Sequence, residues 1–121
     1  MKQLTITKKL PFNATDAFER LSDFTLFEKT CSAVLSVQVE TINDTETLST
    51  WTVNFHDGEM RWQERDIFNK AELAIEFEQT QGDAEEFKGS WQVIEADNNN
   101  CEVVFHAEFC MGIRSLADIL E

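Results

Sequence analysis

Arg65 is the side chain in this sequence best suited to holding developing negative charge. A guanidinium stays protonated at any working pH, and one facing an apolar cavity would stabilise an enolate or carbonyl oxygen as charge builds on it. The alternative for Arg65 is a surface ion pair across the strands with Glu76 or Glu78. Strict alternation puts Arg61, Gln63, Arg65 and Ile67 on one face of their strand, and Trp62, Glu64, Asp66 and Phe68 on the other. Trp62 and Arg65 therefore share a face only if a bulge interrupts the strand near Trp62 or Gln63. Arg61 is expected in solvent. The two histidines, His56 and His106, are the usual type of proton carrier for enolisation or dehydration. His56 precedes the turn pair Asp57-Gly58 and is the candidate to move protons beside Arg65. His106 alternates with Val104 and Glu108, opposite the more apolar Val103, Phe105, Ala107 and Phe109. Exposure is the default expectation for both, and their separation gives no metal pair.

Other chemistries find little support. Cys31, Cys101 and Cys110 are odd in number and widely spaced, which fits neither a disulfide framework nor a CxxC knuckle, and no histidine lies beside them in the chain to activate a thiolate. Gly82, Gly89 and Gly112 lack the spacing of a phosphate-binding loop. No cofactor or metal is expected. With 23 acidic against 10 basic residues, a net charge of -13 repels a polyanionic backbone and an anionic membrane surface alike, so neither nucleic acid nor membrane insertion is expected. No apolar run reaches membrane-spanning length and Met1 to Thr7 carries no signal-peptide core, so a cytoplasmic location is expected.

The elements that must position these residues follow from a composition of four glycines, one proline, no tyrosine and ten phenylalanines in 121 residues. Few breaks and much aromatic surface predict one domain, residues 1–121, of continuous regular structure. Lys2 to Lys9 alternate as a half-buried strand, which Pro11 ends. Asn13 caps a short helix with Ala17, Phe18 and Leu21 on one face. Ser22 and Asp23 then offer a second cap before Phe24, Leu26 and Phe27. Six strands follow, Val34 to Thr41, Glu46 to His56, Met60 to Phe68, Glu72 to Thr80, Phe87 to Glu95 and Glu102 to Cys110, separated by turn residues. Ser115 to Glu121 begins a last helix of about two turns, too short to cover a seven-stranded sheet. The aromatic residues Phe24, Phe27, Trp51, Phe55, Trp62, Phe77, Trp91, Phe105 and Phe109 exceed what a core of this size needs, so some are expected to line a pocket for a planar or apolar ligand.

The order β-α-α-β6-α, with the segments Trp62 to Phe68, Ile75 to Gln79, Gly82-Asp83, Phe87 to Trp91 and Phe109 to Leu120, resembles the START-like helix-grip superfamily, above all its polyketide cyclase/dehydrase branch. The resemblance implies an α+β fold in which a curved seven-stranded antiparallel sheet wraps a C-terminal helix, here short, around a hydrophobic cavity. It implies either a polyketide aromatase/cyclase, with Arg65 at the oxyanion and His56 or water moving protons, or a quinone or lipid carrier of the coenzyme-Q-binding type without chemistry. A non-catalytic interaction subunit, such as a homodimer that covers the open sheet, is a third reading. The cyclases carry WxWxxxR and a helical-region tyrosine. This strand reads Glu59-Met60-Arg61-Trp62-Gln63-Glu64-Arg65, so only the arginine matches, and the chain has no tyrosine. A small hydrophobic ligand is the expected partner. An acyl carrier protein, the resemblance's other implied partner, is itself acidic and would need a basic patch such as Lys8 and Lys9.

Overall fold

A computed structural model describes residues 1–55 and 58–110, without the side chain of Phe55. The expected helix Ser115 to Glu121 and the candidate His56 lie outside the described residues. The first strand, β1 (Lys2–Leu10), stops at Pro11, which has no N–H to continue the ladder. Helix α1 (Ala14–Ser22) starts where Asn13 accepts a hydrogen bond from the Asp16 backbone N–H at 2.9 Å. Ala14, Ala17, Phe18 and Leu21 recur at three- and four-residue steps, and all four are buried. Removing a side chain the size of Phe18 from water contributes roughly 1.5–3 kcal/mol. The short helix α2 (Leu26–Thr30) follows after Asp23 accepts from both the backbone N–H and the hydroxyl of Thr25.

The remaining chain is a meander: β2 (Val34–Asn43), β3 (Glu46–Phe55), β4 (Gly58–Asn69), β5 (Ala74–Gly82), β6 (Glu86–Glu95) and β7 (Cys101–Cys110). β5 begins two residues later than alternation suggests, because Leu73 takes a left-handed φ of 54° in the turn before it. The β6–β7 turn uses Asn98 and Asn99 at φ 61° and 60°, a conformation asparagine tolerates better than most residues. All seven strands are antiparallel neighbours in the order β1-β7-β6-β5-β4-β3-β2, so the first strand closes against the last. The curved sheet presents one face to the helices. Here α1 packs on β6 and β7, and α2 packs on β2. The core between them contains Phe18, Phe24, Val37, Trp51, Ile75 and Val93. No helix among the described residues is long and apolar enough to cross a membrane.

A bulge does lie near Gln63, but its extra residue is on the neighbouring strand, not in β4 where it would bring Trp62 and Arg65 to one face. The β4–β5 register passes from Gln63 opposite Gln81 to Glu64 opposite Gln79, leaving Thr80 as the extra residue. The Thr80 hydroxyl donates to the Gln63 side-chain oxygen at 3.0 Å. Because β4 itself is unbroken, Trp62 and Arg65 stay on opposite faces.

Candidate functional site

The inner face of the sheet is built from alternate residues, and its aromatic side chains meet in sequence around it. Phe27 on α2 contacts Trp51 at 5.6 Å between ring centroids, Trp51 lies parallel to Trp62 at 5.9 Å, and Trp62 meets Phe87 edge-on at 5.2 Å. The path continues from Phe87 to Phe77 at 5.3 Å, from Phe77 to Phe105 at 5.8 Å, from Phe105 to Trp91 at 4.6 Å, and from Trp91 back to Phe27 at 5.8 Å. Phe77 on β5 reaches Phe105 on β7 by passing over Gly89 of the intervening β6, where an added Cβ would stand 2.8 Å from the Phe77 ring and collide with the His106 carbonyl oxygen. Only glycine permits that approach. Such tilted and edge-on pairs add about 0.5–1.5 kcal/mol each beyond the area they bury.

Beside this aromatic wall, between the helix pair and the β1–β7–β6 end of the sheet, lies a cavity of about 480 Å³. Phe27, Trp91, Phe105, Leu21, Leu26 and Val103 form much of its apolar surface, and Lys8 and Arg20 are the charged residues among its described lining. Its volume falls within the range of small-molecule sites. Of the aromatic residues expected at a pocket, Phe27, Trp91 and Phe105 line this cavity. Phe24, at 2% exposure, and Trp51 and Phe77 are core residues. Trp62 is half-buried in the aromatic path, and Phe109 is half-buried on β7 opposite Phe87. Phe55 is described only by its backbone, at the end of β3. Ile6, Lys8 and Leu10 of β1 share the inner face by simple alternation, and the sequence reading passed over them as cavity residues.

Arg65 is not at this cavity. It projects from the outer face of β4, its side chain 54% exposed, and its Nε lies 2.8 Å from a carboxylate oxygen of Glu46. The hydrogen bond and charge of Glu46 push the guanidinium pKa further up, with Glu78, directly opposite on β5, adding to it. The surface ion pair weighed as its alternative is the observed arrangement, although the partner is Glu46 instead of Glu76 or Glu78. His106 is half-buried on the outer face, where its Nδ1 shares a 2.9 Å hydrogen bond with the Thr5 hydroxyl.

The inner face of β4 instead carries two buried acids, Glu64 at 4% exposure and Asp66 at 0%. Thr47 and Ser49 on β3 donate their hydroxyls to Asp66 Oδ2 at 2.8 and 2.7 Å, and the Trp51 indole N–H donates to Ser49 Oγ at 2.8 Å. The Trp62 indole N–H donates to Glu64 Oε1 at 2.7 Å. Burial, then the hydrogen bond and charge of Asp66, raise the Glu64 pKa well above 4.5, while the Trp62 hydrogen bond pulls it the other way. Asp66 Oδ1 is buried with no hydrogen-bond donor among the described residues, so the Glu64 carboxyl stands in a site that already holds one poorly compensated acid. Sequence alternation had placed both acids beside Trp62 and Phe68, which is the signal that could have marked them. Among the described residues no group of three His, Cys, Asp or Glu side chains is placed to hold a metal.

A curved antiparallel sheet closed first strand to last, with a helix pair laid on its inner face, is the helix-grip architecture of START-like proteins. The chain superimposes on a protein from Thermus thermophilus with a TM-score of 0.87 at 18% identity, covering 98% of this chain and 86% of that one. It superimposes on the Zhui aromatase/cyclase from Streptomyces sp. R1128 with a TM-score of 0.86 at 15% identity, covering 92% and 68%. A START superfamily protein from Mycobacterium smegmatis gives 0.79 at 11% identity, covering 98% and 88%. No curated protein matches the chain. The family model described as polyketide cyclase/dehydrase and lipid transport matches residues 10–121, and the chain belongs to that family.

Proposed function

We propose that this protein binds a small apolar or aromatic molecule in the cavity between its helix pair and the β1–β7–β6 end of the sheet, and that it serves as a carrier or holder of that molecule. The observation that supports this most directly is the 480 Å³ space walled by Phe27, Trp91 and Phe105. Its described lining contains neither imidazole nor carboxylate, the side chains that would ordinarily move a proton in a cyclisation or dehydration. Binding therefore precedes chemistry as the reading of this site. The test is titration with the neutral fluorophore N-phenylnaphthylamine, comparing the native chain with Phe105→Ala and Trp91→Ala. Saturable binding that weakens at least about fivefold in both variants supports the reading, and no saturable binding to the native chain refutes it.

A second reading, an aromatase/cyclase-type activity, is favoured by one feature: the buried carboxyl of Glu64, its pKa raised by burial, held against Trp62. A proton retained on a buried acid is the form a general acid needs for dehydration. Glu64 stands on the inner face but is not among the residues lining the 480 Å³ cavity, so this reading ranks second. Turnover of a poly-β-ketone analogue that disappears in Glu64→Gln while probe binding persists would put it first.

A further inference from the structure

We propose that the cavity is selective for an amphipathic anion, a molecule with an apolar or aromatic body and an acidic end group, and that Lys8 and Arg20 hold that end. The proposal rests on the binding reading above and names its ligand class. In a chain with 23 acidic and 10 basic residues, the described lining includes two cations and no acid. A lining drawn at random from this composition would favour carboxylates.

The two cations come from facing walls. Lys8 lies on the inner face of β1, between Ile6 and Leu10 in the alternation and opposite Val103 of β7, and all three of these neighbours line the cavity. A leucine at that position would simply extend the apolar wall. Arg20 stands on α1 one turn beyond Ala17, its guanidinium carbon 4.6 Å from the centre of the Phe12 ring, and both of those residues also line the cavity. That contact steadies the guanidinium without neutralising it.

Like most cations of the described residues, neither forms an ion pair, so at the cavity neither charge is already neutralised by a carboxylate. The Thr30 hydroxyl, also at the lining, already donates to the Leu26 carbonyl oxygen at 2.9 Å. The charged side chains left to meet a guest are donors, so the polar end of that guest must accept. Because both cations are exposed, they mark the mouth of the cavity, with Phe27, Trp91 and Phe105 receiving the body. A ligand of this kind keeps its charge hydrated while its rings leave water.

Two fluorophores with closely related ring systems test this: anilinonaphthalene sulfonate, an anion, and neutral N-phenylnaphthylamine. Two exposed charge contacts together amount to about tenfold in affinity. The double variant Lys8→Gln/Arg20→Gln is expected to bind the sulfonate about tenfold more weakly and the neutral probe within about twofold of the native chain. The control Lys9→Gln/Lys88→Gln, which changes net charge equally on the outer face, is expected to leave both affinities within about twofold. Unchanged sulfonate affinity in the first variant overturns the proposal while leaving the binding reading intact, provided the neutral probe still binds. An equal loss of both probes, or an equal loss of the sulfonate in both double variants, overturns it too. If neither probe binds the native chain, the binding reading itself fails and takes this one with it.

Discussion

Replacing Glu64 with glutamine should make the protein more stable at neutral pH and flatten the dependence of its stability on pH. The Glu64 carboxyl accepts from the Trp62 indole, and burial followed by the neighbouring Asp66 raises its pKa. A glutamine of nearly the same shape keeps the acceptor for the Trp62 N–H and never carries a charge in this buried site. Because the folded-state pKa of Glu64 is raised above 4.5, the folded chain holds a proton that the unfolded chain has released. Its contribution is complete below pH 4.5 and is lost as pH rises through the folded value. One proton sets the ceiling of that loss at about 1.4 kcal/mol per pH unit, or about 3–6 °C of melting temperature for a domain of this size. Other carboxylates titrate over the same range, so the informative quantity is the variant's melting temperature minus the native one, followed by circular dichroism from pH 4.5 to 8. That difference should be smallest at the acid end and grow with pH. A constant difference, or a Glu64→Gln chain that loses stability equally at every pH, would falsify the raised pKa of Glu64.

Other substitutions address separate parts of the structure. Arg65→Ala should change stability by less than about 1 kcal/mol, the scale of an exposed ion pair, and leave N-phenylnaphthylamine binding unchanged. A loss of binding beyond about threefold would restore Arg65 to the cavity. Gly89→Ala should cost about 3 kcal/mol or more, because its methyl would press on the His106 carbonyl and the Phe77 ring, and an unfolding midpoint close to native would contradict the packing described. Asp66→Asn should cost about 1–3 kcal/mol in denaturant titrations, since an amide oxygen is a weaker acceptor than the carboxylate for the Thr47 and Ser49 hydroxyls, and a neutral outcome would mean that these bonds are not made as described.

Much of this molecule was legible in the order of its residues. Alternation in β4 correctly separated Trp62, Glu64, Asp66 and Phe68 from Arg61, Gln63, Arg65 and Ile67, and Asn13 announced the first helix. What alternation cannot supply is the relation between strands. The extra residue near Gln63 turned out to be Thr80, since a bulge is a mismatch of two strands and either can carry it. Arg65 drew attention as the cation of a familiar pattern, yet an unbroken β4 sends it outward to Glu46. Glu64 and Asp66 were passed over because acids are by default solvated, and it takes the hydroxyls of Thr47 and Ser49 across the ladder and the indole of Trp62 to make their burial tolerable. Lys8 belonged by parity with Ile6 and Leu10, but its significance needed β7 and α1 brought alongside.

The union of β1 with β7 has a consequence for how the chain is made. Gln3 meets Glu108 across 105 residues of sequence, so at roughly 5–20 residues per second the opening strand waits about 5–20 s on the ribosome before its neighbour exists. During that interval Leu4 and Ile6 have no ladder to join, while α1 and the hairpins from β2 to β5 can already assemble. β7, made after every other strand described, thus completes the ladder of β1, and a nascent chain halted before β7 would leave the β1 backbone unpaired and open to chaperones.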